Sequence, residues 1–145
     1  MTEINASDYN ALVALVDNHP GNDELVTAIQ GSPDGLDGFV DQVFEGMKNS
    51  FSPQKAGGQQ AVVQYELTTP DGPRSYIMRI ADGRCEVERG TAESPRVSIK
   101  MSVGDFLRLI AGKLNGMQAF MTGKLKVSGD LFFAQTFQGW FERPS

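Results

Sequence analysis

Cys85, Glu86 and Glu88 are the clearest candidates for reactive side chains in this 145-residue sequence. The two glutamates share one face of a predicted strand and could imitate a pair of catalytic carboxylates, yet on an exposed hairpin such residues are nearly always solvated charges. Cys85 falls on the inward face, and neighbouring acids raise a thiol pKa rather than lower it. We therefore interpret Cys85 as a small buried apolar residue.

Motifs that would indicate other chemistry are absent from the sequence. It contains no G-x-S-x-G elbow, P-loop, H-E-x-x-H or G-x-G-x-x-G. The one histidine, His19, stands beside Pro20-Gly21 and is interpreted as a turn residue, and a single histidine argues against a histidine-based metal cluster. The sequence thus predicts a protein that is not an enzyme and that uses no cofactor or metal.

The net charge of −5 is distributed unevenly along the chain. Residues 1–50 carry nine acids against Lys48, which gives −8, whereas residues 95–145 carry seven Lys or Arg against three acids, which gives +4. The overall sign argues against nucleic-acid binding. The local positive field of the C-terminal third could attract an anionic head group.

The cellular location is predicted from features that the sequence lacks. No charged and apolar leader heads the chain, and no apolar run approaches the roughly 20 residues that a bilayer requires. Cys85 is the single cysteine, so an internal disulfide is excluded. The chain does not end in Ser-Lys-Leu, the peroxisomal signal. We expect one soluble domain, without stable membrane insertion, in a bacterial cytoplasm.

Hydrophobic periodicity predicts three helices followed by a sheet. Ser7 is expected to cap a helix over residues 8–18, Asn22 a second one up to Gly31, and residues 32–34 to begin a third that runs to Phe51. Residues 54–60 are interpreted as a glycine-rich connector. Alternating residues predict strands at 63–67, 76–80, 85–87, 97–101 and 125–127, with Gln64 and Glu66 on the polar face.

Turn and cap signals place these elements. Asp82-Gly83 predicts a two-residue hairpin, so the first three strands should be antiparallel, and the helical link before the fifth strand is expected to act as the crossover. Ser102 with Asp105, and Asn115 with Gln118, have the spacing of helix caps. Asp130 is expected to cap a last helix that extends to residue 141.

The last predicted helix is apolar beyond one stripe, which permits two interpretations. Either the helix is simply well buried, or one side packs on the sheet while the other closes over a ligand. Nearby methionines such as Met101, Met117 and Met121 suit a surface that repacks around varied apolar guests, although methionine also fills ordinary cores.

In order and spacing, these fragments resemble the C-terminal half of the sterol carrier protein type-2 domain. That pattern is a strand, an aromatic-bearing helix ending in Gly-Lys, a short Ala-Phe helix, and a Gly-Lys-Leu-Lys strand closed by Gly. The matching fragments are residues 97–101, 105–113, 119–121 and 123–129. The resemblance covers about residues 36–143. It implies an α/β fold of the α+β type, in which helices cover a five-stranded, mostly antiparallel sheet and enclose an apolar tunnel for lipids.

The resemblance also implies a site and a ligand. The expected tunnel residues are Phe106, Leu107, Ile110, Leu114, Phe120, Met121, Leu125, Phe132, Phe133, Phe137, Trp140, Tyr65 and Met78. The positive charge of the C-terminal third, rather than the resemblance, makes Lys113, Lys124 and Lys126 the candidates for binding a head group. The ligand would be a small hydrophobic molecule such as a fatty acid, an acyl-CoA or a sterol-like lipid.

Domain organisation and one alternative function complete the predictions. Residues 1–35 are expected to form a helical extension packed on a lipid-binding domain of residues 36–145. The last helix, with Phe133, Phe137 and Trp140 on its inner face, would act as a lid, because a terminal helix can open without breaking sheet pairing. Alternatively, its aromatic surface serves as a protein-interaction or homodimerisation module.

Overall fold

Residues 9–19, 21–31, 35–49 and 51–137 are described by the structure, a computed structural model of the chain; for residues 9–11, 135 and 137 only the backbone is described. The helices are α1 (Tyr9–Asn18), α2 (Asn22–Gln30), α3 (Gly35–Asn49), α4 (Pro53–Ala56), α5 (Val103–Ile110), α6 (Gly116–Met121) and α7 (Leu131–Phe137). The strands are β1 (Ala61–Thr69), β2 (Gly72–Ala81), β3 (Arg84–Arg89), β4 (Val97–Ser102) and β5 (Lys126–Gly129).

The strands form one five-stranded sheet in the order β3-β2-β1-β4-β5. β1 and β2, β2 and β3, and β4 and β5 pair antiparallel, while β1 and β4 pair parallel. The predicted mostly antiparallel sheet is therefore confirmed, and the parallel pair makes it mixed. The predicted hairpin is confirmed as well, since Asp82 and Gly83 have φ angles of 55° and 73°, in the left-handed region that such turns require.

One face of the sheet carries the core. Strand register aligns Tyr65 of β1 with Tyr76 of β2 and Ile99 of β4, and all three side chains are buried. Phe44 of α3 and Phe106 of α5 pack against Tyr65. Both helices therefore cover the same sheet face, as the predicted helical cover requires.

The opposite face is partly covered by the chain between β3 and β4. Gln64 lies on the predicted polar face of β1, yet its side chain is only 3% exposed. Its amide donates to the carbonyl oxygens of Tyr76 at 3.2 Å and Gly90 at 3.0 Å, and its oxygen accepts from Ala92 N at 2.7 Å. Residues 90–96 form the connection that passes β2 and β1 to reach β4. The helical link after β4 joins adjacent antiparallel strands and is not the crossover.

Helix starts follow the predicted caps in the C-terminal half. The side-chain oxygens of Ser102, Asn115 and Asp130 each accept from the backbone N–H three residues later, at 3.1, 3.1 and 2.9 Å. These bonds satisfy N–H groups that have no partner within the helix. The glycine-rich connector, interpreted from the sequence without a helix, begins with the short α4, which Ser52 caps. The predicted helix starts at Ser7 and at residues 32–34 lie outside the described residues.

The predicted cap at Asn22 is wrong, because Gly21 occupies that position of α2. Asn22 instead reaches α5, where its amide donates to Asp105 Oδ1 at 2.9 Å and its oxygen accepts from Arg108 Nε at 2.6 Å. A Cβ added at Gly104 would lie 2.8 Å from Asn22 Cγ. The glycine therefore permits α2 to approach α5 closely.

Candidate functional site

Four aromatic rings, those of Phe44, Tyr65, Tyr76 and Phe106, pack together where α3 and α5 meet the sheet. The ring of Phe44 lies 4.3 Å from Tyr76, 5.0 Å from Phe106 and 5.3 Å from Tyr65, measured between centroids. The Tyr76 hydroxyl donates to Asp41 Oδ1 at 2.6 Å, and burial raises its pKa above the usual value, so it remains a donor. This cluster packs α3 and α5 against the core face of the sheet.

Six of the predicted tunnel residues lie in the core. They point from β1, β2, α5, α7 and the segment before β5, and none is more than 5% exposed. These residues are Tyr65, Met78, Phe106, Leu107, Leu125 and Phe133. The structure thus brings them into one hydrophobic core. Their role as tunnel residues remains a prediction.

The other described tunnel candidates lie nearer the surface. Ile110, the last residue of α5, and Leu114, in the segment that follows, are partly buried. Phe120, Met121 and Phe132 are 42%, 78% and 81% exposed. Their neighbours Met117 of α6 and Leu131 of α7 are also exposed, at 52% and 48%, and were not among the predicted site residues although both lie on the predicted apolar helices.

Helix α7 is apolar on two sides. Phe133 is buried and the guanidinium of Arg96 lies 4.0 Å from its ring centroid, whereas the adjacent Phe132 faces solvent. Arg96 Nε also donates to Asp130 Oδ2 at 3.2 Å, at the start of the helix. The sequence predicted that the apolar surface of this helix extends beyond one stripe, and residues 131–134 have such a surface. The side chain of Phe137 and all of Trp140 lie outside the described residues.

The three predicted head-group lysines are not equivalent. Lys113 forms an ion pair with Asp17 of α1 at 3.3 Å, so it joins the N-terminal helices to the end of α5. Lys124 and Lys126 are exposed on either side of the buried Leu125. Lys126 of β5 lies directly opposite Lys100 of β4 in the strand register, on the sheet face opposite the core. Lys124 and Lys126 are therefore the better placed pair for an anionic group in solvent.

The candidates for acid–base chemistry behave as predicted. Glu86 and Glu88 are exposed, and each forms an ion pair, with Lys48 at 3.4 Å and with Arg79 at 2.9 Å. Cys85 is buried, and burial followed by the charge of Glu86 raises the pKa of its thiol to about 12. The thiol is therefore neutral at physiological pH and a poor nucleophile.

The described residues provide neither a metal-binding cluster nor a membrane-spanning helix. No group of three or more His, Cys, Asp or Glu side chains suitable for a metal ion occurs among them. None of their helices has the length and apolar character needed to cross a bilayer. A depression of about 530 Å³ lies at the β2–β3 hairpin, lined by Arg79, Ala81, Asp82, Arg84 and Glu86. It contains none of the predicted tunnel residues, and its mixed charges do not suit a lipid.

A curated relative matches most of this chain. Hydroxysteroid dehydrogenase-like protein 2 of Bos taurus is 32% identical over 105 residues, which cover 72% of this chain and 25% of that protein. This chain therefore spans about a quarter of the length of that relative.

Solved structures confirm the fold. The sterol carrier protein domain 2 of Helicoverpa armigera superposes with a TM-score of 0.59 at 25% identity, covering 75% of this chain and 88% of that one. The sec-alkylsulfatase Pisa1 of Pseudomonas sp. shares the fold with a TM-score of 0.66 at 18% identity, over 84% of this chain and 21% of the sulfatase.

A family model matches the part of the chain that holds the core and the candidate site. The model describes the SCP-2 sterol transfer family, and it covers residues 40–142, from α3 through all five strands to the segment after α7. The chain therefore belongs to the SCP-2 sterol transfer family.

Proposed function

We propose that this chain is a non-catalytic carrier that binds a lipid between the core face of its sheet and its C-terminal helices. Membership of a lipid-binding family supports this function. The observation that carries it is the pair of adjacent residues Phe132 and Phe133, which are 81% and 2% exposed. A helix that is apolar on both its inner and its outer side can exchange one apolar contact for another at little cost.

Ligand access requires the C-terminal helices to move. Tyr65, Met78 and Phe106 are each at most 4% exposed, so a ligand reaches them only after a helix separates from the sheet. α7 is suited to this movement because it follows β5 and contributes no strand pairing. Its described contacts include the buried Phe133 and Ala134, the ion pair of Asp130 with Arg96, and a hydrogen bond from Asp130 N to Arg96 O at 3.0 Å.

The proposed ligands are fatty acids, acyl-CoA and sterol-like lipids, with an anionic head preferred. Lys124 and Lys126 are exposed beside the buried Leu125, which is a predicted tunnel residue. Replacing Lys113, Lys124 and Lys126 with Gln should weaken binding of a fatty acid much more than binding of a neutral sterol. A charge-matched control replaces Lys55, Arg79 and Arg84, which are exposed elsewhere. Equal losses for both ligands would contradict the head-group role.

The deciding experiment compares two buried phenylalanines. Phe106 is one of the predicted tunnel residues. Phe39 of α3 is not one of them, although it is similarly buried, at 2% exposed against 0% for Phe106. Phe106→Leu and Phe39→Leu should each destabilise the fold by about 1 kcal/mol. If the carrier function is correct, only Phe106→Leu also changes the affinity for a fluorescent fatty acid. Unchanged affinity in both variants would place the ligand elsewhere.

Native mass spectrometry of freshly purified protein tests the function as a whole. A lipid mass that co-purifies with the chain supports the carrier. A bare, obligate oligomer would instead favour the alternative that the exposed aromatic surface is a dimerisation site.

We further propose that α1 and α2, which precede the family match, form an extension of the lipid-binding domain. Asn22 of α2 attaches this extension to α5, and Asp17 of α1 attaches it to the segment that follows α5.

A further inference from the structure

The short helix α6 presents apolar side chains to solvent. Of its six residues, Ala119 is the buried one, whereas Met117, Phe120 and Met121 are 52%, 42% and 78% exposed. Exposed lysines follow in the next few residues. We use the name α6 surface for Met117, Phe120, Met121, Lys124 and Lys126.

The segment around α6 is cationic. Residues 106–129 contain four Lys or Arg and no Asp or Glu. Two of these cations already have partners within the fold, since Arg108 bonds to Asn22 and Lys113 pairs with Asp17. The other two belong to the α6 surface, so its positive charge faces solvent.

Strand register adds a third lysine. Lys126 of β5 lies opposite Lys100 of β4, and like charges at directly opposed positions destabilise a sheet. Glu66 of β1 flanks Lys100 on its other side and offsets part of this repulsion. An external anion on the side of Lys126 would offset the remainder.

We propose that the α6 surface docks onto the surface of an anionic phospholipid bilayer. Exposed Phe and Met side chains enter the interfacial region, while lysines are attracted by acidic head groups. This docking goes beyond ligand binding, because it specifies where the ligand is exchanged.

A second copy of the chain fits this surface less well. The commonest symmetric dimers bring the same patch of two subunits together, which would place lysines against lysines. An anionic bilayer instead complements the charge and accepts the apolar side chains at the same time.

The experiment measures co-sedimentation of ligand-free protein with vesicles. Vesicles of phosphatidylcholine with phosphatidylglycerol should bind the protein, more strongly at low salt, and vesicles of phosphatidylcholine alone should bind it weakly. The double variant Lys124→Gln with Lys126→Gln should lower partitioning by about fivefold for each lysine. Arg79→Gln with Arg84→Gln removes the same charge from the β2–β3 hairpin and should leave partitioning nearly unchanged.

Met117→Gln tests the apolar contribution. It should weaken vesicle binding several-fold, Met117→Leu should restore it, and thermal unfolding should show that both variants are folded. Met117 is 52% exposed and is not among the predicted tunnel residues, so the affinity for a fluorescent fatty acid in solution should not change. Vesicle binding without fatty-acid binding in the wild type would therefore sink the carrier function and leave docking intact.

Three outcomes would overturn the docking proposal. The first is equal binding to neutral and anionic vesicles. The second is equal binding by the wild type and the variants. The third is a wild-type dimer in sedimentation velocity that Met117→Gln dissociates, with no vesicle binding by either protein, since a second copy would then be the occupant.

Discussion

The side-chain oxygen of Gln64 accepts a hydrogen bond from the backbone N–H of Ala92 at 2.7 Å, across the sheet face opposite the core. The amide of the same side chain donates to the carbonyl oxygen of Gly90 at 3.0 Å. One buried glutamine thereby fixes the chain that runs from β3 to β4. The parallel pairing of β4 with β1 depends on that path, and β4 leads directly into α5 of the candidate site.

Replacement of Gln64 with Leu should destabilise the protein by about 2 to 4 kcal/mol. Leu retains the bulk but leaves the backbone groups of Tyr76, Gly90 and Ala92 without this partner in a buried place, and each such loss costs about 1 to 3 kcal/mol before relaxation. Urea unfolding measures the change. Gln118→Ala, at an exposed position of α6, is the matched control and should change stability by under about 0.5 kcal/mol. If Gln64→Leu lowers the free energy of unfolding no more than the control does, the hydrogen bonds of Gln64 do not stabilise this connection.

Gly104→Ala should separate α2 from α5. Because the new Cβ would lie within 3.0 Å of three side-chain atoms of Asn22, we expect a destabilisation of about 1 to 3 kcal/mol. Gly31→Ala is the control, since the nearest atom there is at an ordinary 3.6 Å.

Asn22→Gly removes the side-chain atoms that the methyl group introduced by Gly104→Ala would meet, so the two changes should not be additive. Chemical denaturation of the single and double variants gives the coupling energy. Additive losses would mean that the two helices do not meet at this point.

Asp130 should make stability depend on pH in the acidic range. The backbone N–H of Phe133, followed by Arg96, holds the pKa of this carboxyl below its usual value. Its contribution is therefore present above the usual pKa of about 4 and is lost as the pH falls through the depressed folded value. Asp130→Asn keeps an oxygen that can cap α7 but has no charge, so its urea midpoint should fall less between pH 5 and 3 than that of the wild type. Asp71→Asn, in an exposed turn, is the control. If the urea midpoints of the wild type and Asp130→Asn fall in parallel between pH 5 and 3, the charge of Asp130 contributes nothing to stability.

Cys85 should resist alkylation in the folded protein. Since burial raises its pKa to about 12 from 9.0, the native thiol remains protonated at pH 8, and labelling by iodoacetamide should follow the unfolded fraction. The shift stabilises the fold fully below pH 9, and this contribution is lost as the pH rises toward 12. Cys85→Ala should flatten the decline above pH 9 only in part, because burial also raises the pKa of Tyr65. Rapid labelling without denaturant would contradict the burial.

Local patterns predicted most of the described elements of this fold, α4 excepted. Alternation placed the five strands, Asp82-Gly83 marked the hairpin, and Ser102, Asn115 and Asp130 marked helix starts. Each of these signals acts between residues at most three positions apart, where backbone geometry follows directly from residue type. The ordered fragments after Val97 were also sufficient to indicate the family.

Contacts between distant residues decided what the patterns could not. Gln64 has the polar alternation of an exposed position, yet its partners lie 26 and 28 residues away and bury it. Asn22 has the residue type of a cap, yet its amide is used by Asp105 and Arg108, 83 and 86 residues away.

In the candidate site, too, the sequence predicted which residues are apolar, and the tertiary structure decided which of them are buried. Phe132 and Phe133 are identical in type and adjacent in sequence, and periodicity indicated only that both belong to an apolar helix. Packing of α7 against β4 and β5 buries Phe133 and leaves Phe132 in solvent. Burial depends on what the rest of the chain places opposite a side chain, and that is decided only when the elements assemble.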